Sequence, residues 1–179
     1  MNYHTITYPD QNNGDGLRVV LWLSGSSHHC YNCQNPQTWD VNSGIPFDES
    51  AKEELFRELD KDYISGLTLS GGDPLHEANL DGVLDLVNEI RLSFPNKSIW
   101  LYSGYDYQEV MRQLPNLATK ENYNMYKRQQ IIKQCTVMVD GRYIDSQRNP
   151  SKKWAGSNNQ HVIDIQQSLQ KGEIVLWKC

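Results

Sequence analysis

Cys30 and Cys33 are the residues whose type and spacing first suggest chemistry. They form a C-x2-C pair inside the polar stretch Ser24-Gly25-Ser26-Ser27-His28-His29-Cys30-Tyr31-Asn32-Cys33-Gln34-Asn35. Two soft sulfur donors so close together have three chemical uses. They are half of a zinc site completed by His28 or His29, a dithiol redox pair, or part of an iron–sulfur loop. A redox pair normally opens a helix in a thioredoxin-like unit, and this pair sits in a loop. Two incidental buried thiols would not be expected in so polar a segment. His28 and His29, taken alone, read as ordinary surface loop residues. A second group is Gly71-Gly72-Asp73-Pro74. It serves equally as a strand-to-helix turn with Asp73 as helix N-cap or as a close-approach ligand contact, because glycines let backbone come near. Ser103-Gly104-Tyr105 and Asp140-Gly141 are further small or polar segments of this kind.

These segments need elements to hold them. Leu17–Leu23 is apolar, rich in β-branched residues and preceded by glycine, the pattern of a buried strand. Ile64–Ser70, Ser98–Tyr102 and Thr136–Val139 read as three more strands. Helices are expected from Asp48 to Asp60, through Leu80–Ile90, and briefly near Asp106–Leu114. The stretch 9–16 is dense in turn formers and reads as loop. Residues 116–130 are polar and Tyr-rich, helical in part, and the final third shows no clear strand–helix rhythm. Alternating strands and helices predict an α/β fold with a parallel sheet and flanking helices, as one domain over residues 1–179. Each predicted strand ends in small or polar residues. Ligands of parallel α/β folds bind at strand carboxyl ends, so four such ends facing one side predict a single site.

Composition narrows the class. The 179 residues are 38% hydrophobic and 22% charged, which is globular. No apolar run approaches the ~20 residues that span a bilayer. Met1-Asn2-Tyr3-His4 has neither the basic nor the apolar region of a secretion signal, so a cytoplasmic location and no membrane partner are expected. Four cysteines, at 30, 33, 135 and 179, are too few and too uneven for a disulfide framework. Cys135, at a strand start, and Cys179, the last residue, are not expected to be ligands. The net charge of −5 is uneven. Residues 1–119 hold 7 Lys and Arg against 17 Asp and Glu; residues 120–179 hold 10 against 5. An acidic front and basic back suit docking to another protein, or self-association as a homodimer, better than binding nucleic acid. Two solvated faces would give the same pattern.

The cysteine loop resembles the C-x3-C-x2-C cluster loop of the radical S-adenosylmethionine (SAM) superfamily, with Ser26 at the first cysteine position. More narrowly, the chain resembles the activating proteins of anaerobic ribonucleoside-triphosphate reductases. The matching stretches are 13–18, Ser24-Gly25 with the cysteine loop through Trp39, 66–75, 99–105, Val139-Asp140-Gly141 and Trp154–Gln160. The resemblance implies a partial, open (βα) barrel. It implies a [4Fe-4S] cluster on three thiolates, with SAM chelating the fourth iron. An electron from the cluster would cleave SAM to methionine and a 5′-deoxyadenosyl radical, which takes hydrogen from a glycine of the partner reductase. The cofactors carry the hard chemistry and the protein orients them. An electron donor such as a flavodoxin is implied as a second partner.

On this resemblance the cluster ligands are Cys30 and Cys33, with Ser26 marking the missing third. Gly71, Gly72 and Asp73 would meet the SAM amino group. Asn32 and Gln34, which flank Cys33, would reach its adenine or methionine part, and Ser103 and Tyr105 the ribose side. Trp39 is a candidate anchor for the partner, with burial in the core as the alternative. Ser26 departs from the family pattern, because a serine hydroxyl is a harder donor than thiolate and is not deprotonated near neutral pH. A chain with two thiolates is expected to be inactive or cluster-impaired, whether Ser26 was introduced by design or arose in a degenerate paralogue. Residues 116–130 are longer than the resemblance requires and receive no function. Three other functions remain open at this level: activation of a different glycyl-radical enzyme such as pyruvate formate-lyase, a zinc-binding interaction module, and a cluster-free docking subunit.

Overall fold

In the computed structural model, which describes residues 1–178, one seven-stranded sheet forms the frame. The strands are β1 (Asn2–Asp10), β2 (Leu17–Leu23), β3 (Ile45–Pro46), β4 (Ile64–Gly71), β5 (Ser98–Tyr102), β6 (Val137–Asp140) and β7 (His161–Asp164), in the order β3-β1-β2-β4-β5-β6-β7. The four predicted strands are β2, β4, β5 and β6, and they are parallel neighbours. The expectation of a parallel sheet needs correction at both edges. β1 runs antiparallel to β2 and β3, and β7 antiparallel to β6, so the sheet is mixed and open. Tyr3 to Thr7 therefore belongs to a strand that the turn formers after Pro9 conceal. Cys179 lies outside the described residues.

Five helices follow the strands. They are α1 (Glu49–Leu59), α2 (Leu80–Ser93), α3 (Tyr107–Val110), α4 (Lys120–Gln134) and α5 (Ile165–Lys171). α1 begins where its acidic first turn predicts, with the Asp48 side chain accepting from Ala51 N. α4 covers most of the stretch that has no expected function.

Strand alternation divides the buried residues between two faces. Val19, Leu21, Leu23, Leu67, Leu69, Ile99, Leu101 and Met138 form one aliphatic core with the inward sides of α1, α2 and α4. The other face carries Arg18, Trp22, Thr68, Ser70, Trp100, Tyr102, Val137 and Val139. Among the described residues, the hydrophobic cluster on this face takes no residue from a helix. Trp154 and Trp177 close on Trp100 instead, with ring centroids 5.6 and 5.8 Å away.

Arg18 anchors this second face without a carboxylate partner. Its guanidinium is fully buried, and its five N–H groups reach Thr68 Oγ1, Ser98 Oγ and the carbonyls of Asp15, Leu67 and Ser98 at 2.8–3.1 Å. Burial lowers its pKa to about 10. Lysine has three donors and no planar fork, so it cannot reproduce this pattern. Arg18→Ala should lower unfolding free energy by roughly 3 kcal/mol, and Arg18→Lys should recover less than half of that. Urea unfolding of the three proteins tests this, and equal midpoints would remove Arg18 as an anchor.

Candidate active site

The carboxyl ends of β2, β4, β5 and β6 stand side by side and open into a cleft of about 400 Å³. That lies in the range of small-molecule sites. Ser26, Cys30, Cys33 and Gln34 line it from the cysteine loop, Gly71, Gly72 and Asp73 from the end of β4, and Ser103 from the end of β5. Arg142 and Tyr143 line it beyond β6, and Lys152, Trp154 and Gln160 complete the far wall. Two proposed residues are not among the lining residues. Asn32 is exposed, and Tyr105 packs behind the wall.

Backbone bonds fix the cysteine loop to the sheet. Gly25 N donates to Thr38 O and Ser26 N to Trp39 O, while Asp73 N donates to Gly25 O. A Cβ on Gly72 would overlap the Gly25 backbone, so glycine is required for this close approach. Within the loop, Cys33 N donates to Cys30 O, and His29 and Asn32 take left-handed backbone at φ 44° and 55°. Trp39 is half-buried, lines the cleft and stacks on exposed His29 at 4.6 Å. It belongs to neither hydrophobic cluster, so the alternative of ordinary core burial does not describe it.

Asp73 sits at the centre of the hydrogen-bond network. Its side chain is 2% exposed and accepts from Leu75 N, Ser103 Oγ and Gly104 N at 2.8–2.9 Å. His28 Nε2 lies 2.7 Å from Asp73 Oδ2. The Leu75 contact is a local turn, and no helix is capped; α2 starts after Asn79, so the N-cap alternative for Asp73 is replaced. His28 overturns its assignment as a surface residue, since its side chain is only 8% exposed. Its ring packs nearly perpendicular to that of Tyr105, with centroids 4.9 Å apart. Arg128 of α4 supports this layer, donating to Leu75 O at 2.8 Å and to the Tyr105 hydroxyl at 3.1 Å. The sequence signal for Arg128 was available: it shares a helix face with Met125, Ile131 and Ile132, which is the buried face. No comparable signal marks His28.

The thiols differ in their surroundings. Burial pushes the Cys30 thiol up, opposed by the Tyr143 backbone N–H and the Arg142 charge across the cleft. Cys135 is fully buried in the aliphatic core, away from the cleft, and its pKa is pushed up to about 12 by burial, which Arg91 only partly offsets. Among the described residues, no three His, Cys, Asp or Glu side chains surround a point the size of one metal ion. No helix of the described residues is long and apolar enough to cross a membrane.

Family comparison agrees with the soft-donor loop. A model described as "4Fe-4S single cluster domain" matches residues 12–163. Full-length relatives are more specific. The anaerobic ribonucleoside-triphosphate reductase-activating protein of Escherichia coli K12 is 38% identical over 164 residues, covering 90% of this chain and 97% of the relative. The protein of that name from Enterobacteria phage T4 is 37% identical over 163 residues, covering 90% and 93%. That from Pasteurella multocida is 33% identical over 169 residues, covering 93% and 99%. The chain belongs to this family of activating proteins, within the single-cluster 4Fe-4S domains.

Thiol reactivity should follow the burial pattern. Only the thiolate is alkylated, so a raised pKa delays reaction to higher pH. The rate at Cys30 should keep rising through and above pH 9, and Cys135 should stay unmodified until the chain unfolds. Site-resolved mass spectrometry after iodoacetamide pulses across pH 7–10 reads both. Rapid native labelling of Cys135 would contradict its placement in the core.

Proposed function

We propose that this chain generates a glycyl radical on an anaerobic ribonucleoside-triphosphate reductase by reductive cleavage of SAM at an iron–sulfur cluster, on an open barrel of the radical SAM type. The observation that carries this reading is the meeting of Cys30, Cys33, Gly71-Gly72-Asp73 and Ser103 in one cleft at four adjacent strand ends. The names of the full-length relatives support the same partner.

The donor set fits a cluster incompletely. Cys30 and Cys33 supply two soft thiolates, and Ser26 stands at the third place with a hard, protonated hydroxyl. When bound, the reduced cluster supplies the electron for SAM cleavage. Cys30 and Cys33, on the loop after β2, would hold it. Gly71 and Gly72 offer close backbone approach, and Asp73 offers a carboxylate to the SAM amino group. Asp73 already holds His28, Ser103 and Gly104, so taking the amino group requires exchanging one of these partners. The half-open cleft admits a glycine segment of the partner, and Trp39 offers it an aromatic wall. A zinc-binding module is disfavoured because the described residues show no ready three-ligand point.

With Ser26, the chain is cluster-impaired and does not sustain turnover. After anaerobic reconstitution, Ser26→Cys should raise iron and sulfide toward about four each per chain. It should also yield 5′-deoxyadenosine from SAM and a glycyl-radical signal on the reductase. Equal iron and equal 5′-deoxyadenosine from both forms would refute the role given to Ser26. In the Ser26→Cys background, Asp73→Asn should weaken SAM binding by roughly tenfold or more with iron content unchanged, as expected for a lost charge-assisted hydrogen bond of ~1.5–3 kcal/mol. Unchanged affinity by titration would restrict Asp73 to holding the turns.

A further inference from the structure

The mouth of the cleft carries a positive charge that the proposed function leaves unused. Residues 141–160 supply its far wall and hold Arg142, Arg148, Lys152 and Lys153 against one acid, Asp145, on a chain whose net charge is −5. Asp145 is occupied, accepting from the Tyr143 hydroxyl at 2.9 Å. Among the described residues, none of the four cations makes an ion pair. Lys152 donates to the carbonyls of Asn158 and Gln160, and Lys153 lies over the Trp154 ring at 5.1 Å. Elsewhere on the molecule Lys52, Lys61, Lys120 and Lys127 each reach a carboxylate. Like charges gathered without partners repel one another in the free chain, so this patch serves an anionic counterpart better than it serves stability. The counterpart is wide. Arg142 and Lys152 line the cleft, whereas Arg148 and Lys153 lie outside the lining and are exposed, beyond the reach of one small anion.

The opposite side of the mouth is aromatic. Tyr31 is 77% exposed on the cysteine loop, beside the left-handed turn at Asn32. The Tyr143 backbone N–H reaches the Cys30 thiol, so the two loops meet, and Tyr31 and the cations share one rim. A large exposed aromatic beside unpaired arginines matches the composition of protein interfaces and their hot spots. We infer that this rim is the docking face for an acidic surface of the reductase, with Arg142 and Arg148 steering its approach and Tyr31 anchoring it. The inference rests on the partner named in the proposed function and deepens it. A partner that delivers a glycine segment into the cleft must cross the rim, so the charge there acts on that partner first. Charges at an interface rim set the association rate and its salt dependence, while a desolvated aromatic anchor sets the dissociation rate.

The test reads complex formation and needs no cluster or radical. The full chain is immobilised, the cognate anaerobic reductase is passed over it at low and at high salt, and both rates are recorded. Association with the unaltered chain should slow steeply as salt rises. Arg142→Glu with Arg148→Glu should slow it roughly tenfold or more at low salt, with the difference shrinking at high salt. Arg142→Lys with Arg148→Lys should restore most of the rate, because steering needs charge and not the guanidinium fork. Tyr31→Ala should speed dissociation roughly tenfold or more. Arg57→Glu with Lys171→Glu, an equal change of charge on exposed residues outside the cleft, should leave both rates unchanged. Unchanged rates in the charge-reversed chain or in Tyr31→Ala overturn this docking face and leave the proposed function standing. Equal slowing by the Arg57 and Lys171 pair, or a lysine pair as slow as the glutamate pair, does the same. Sedimentation of the chain alone and capture of a flavodoxin run beside these measurements. Loss of either on charge reversal, with reductase capture intact, gives the rim to a second copy or to an electron donor and overturns the assignment. No capture of the reductase by any form overturns both the face and the partner. Salt-independent association of the unaltered chain removes the steering role, so misfolding of a variant does not obscure the result.

Discussion

The site depends on one buried carboxylate. Asp73 gathers the end of β4, the turn after β5 and the cysteine loop through Leu75, Ser103, Gly104 and His28. Each of these donors would otherwise be an unpaired group in a protein interior, at a cost of ~1–3 kcal/mol apiece. The three segments lie far apart in sequence, and only the parallel order of β2, β4 and β5 brings their ends within reach of one side chain. A carboxylate is suited to this because its two oxygens accept several bonds at once.

Support for that carboxylate comes from outside the cleft. Arg128 reaches from α4 to Leu75 O and to Tyr105, and Tyr105 in turn backs the His28 ring. The guanidinium also lies 4.5 Å from the Tyr105 ring centroid. A helix with no apparent task thus props the layer behind the site. Asp140 does the same for the neighbouring turn, accepting from Tyr107 N and His161 N and so fixing the end of β6. The cleft is therefore rimmed by turns whose backbone donors are spoken for before any cofactor arrives.

Strands with continuous apolar runs were legible because parallel neighbours bury them on both faces, as with Val19–Leu23 and Leu67–Leu69. Their small, polar ends were legible too, and they meet as expected. β1 was not, because its exposed and half-buried residues include His4 and Thr5 and carry no strong alternation. β7 has only four residues, two of them polar, and depends on pairing with β6 that local sequence does not reveal. Within the site, cysteine spacing and glycine clusters were readable because the backbone or the chemistry demands those types. His28 was hidden because its burial comes from Asp73, Gly104 and Tyr105, all distant in the chain. The resemblance assigns Tyr105 to the ribose side of the cleft, yet its ring packs against Arg128 and His28.

The aromatic floor opposite the helices has an optical consequence. Trp100, Trp154 and Trp177 form a compact indole group, and Trp154 also lines the cleft itself, with Trp22 and Trp39 along the same walls. All five tryptophans of the chain therefore lie in or beneath one cavity. Indole emission overlaps the broad near-ultraviolet and visible absorption of iron–sulfur chromophores, and energy transfer over such short separations is efficient. Filling the cavity with a coloured cofactor would darken nearly the whole intrinsic fluorescence of the protein, and losing that cofactor would restore it. The packing that seals the open side of the sheet thus doubles as a built-in gauge of occupancy.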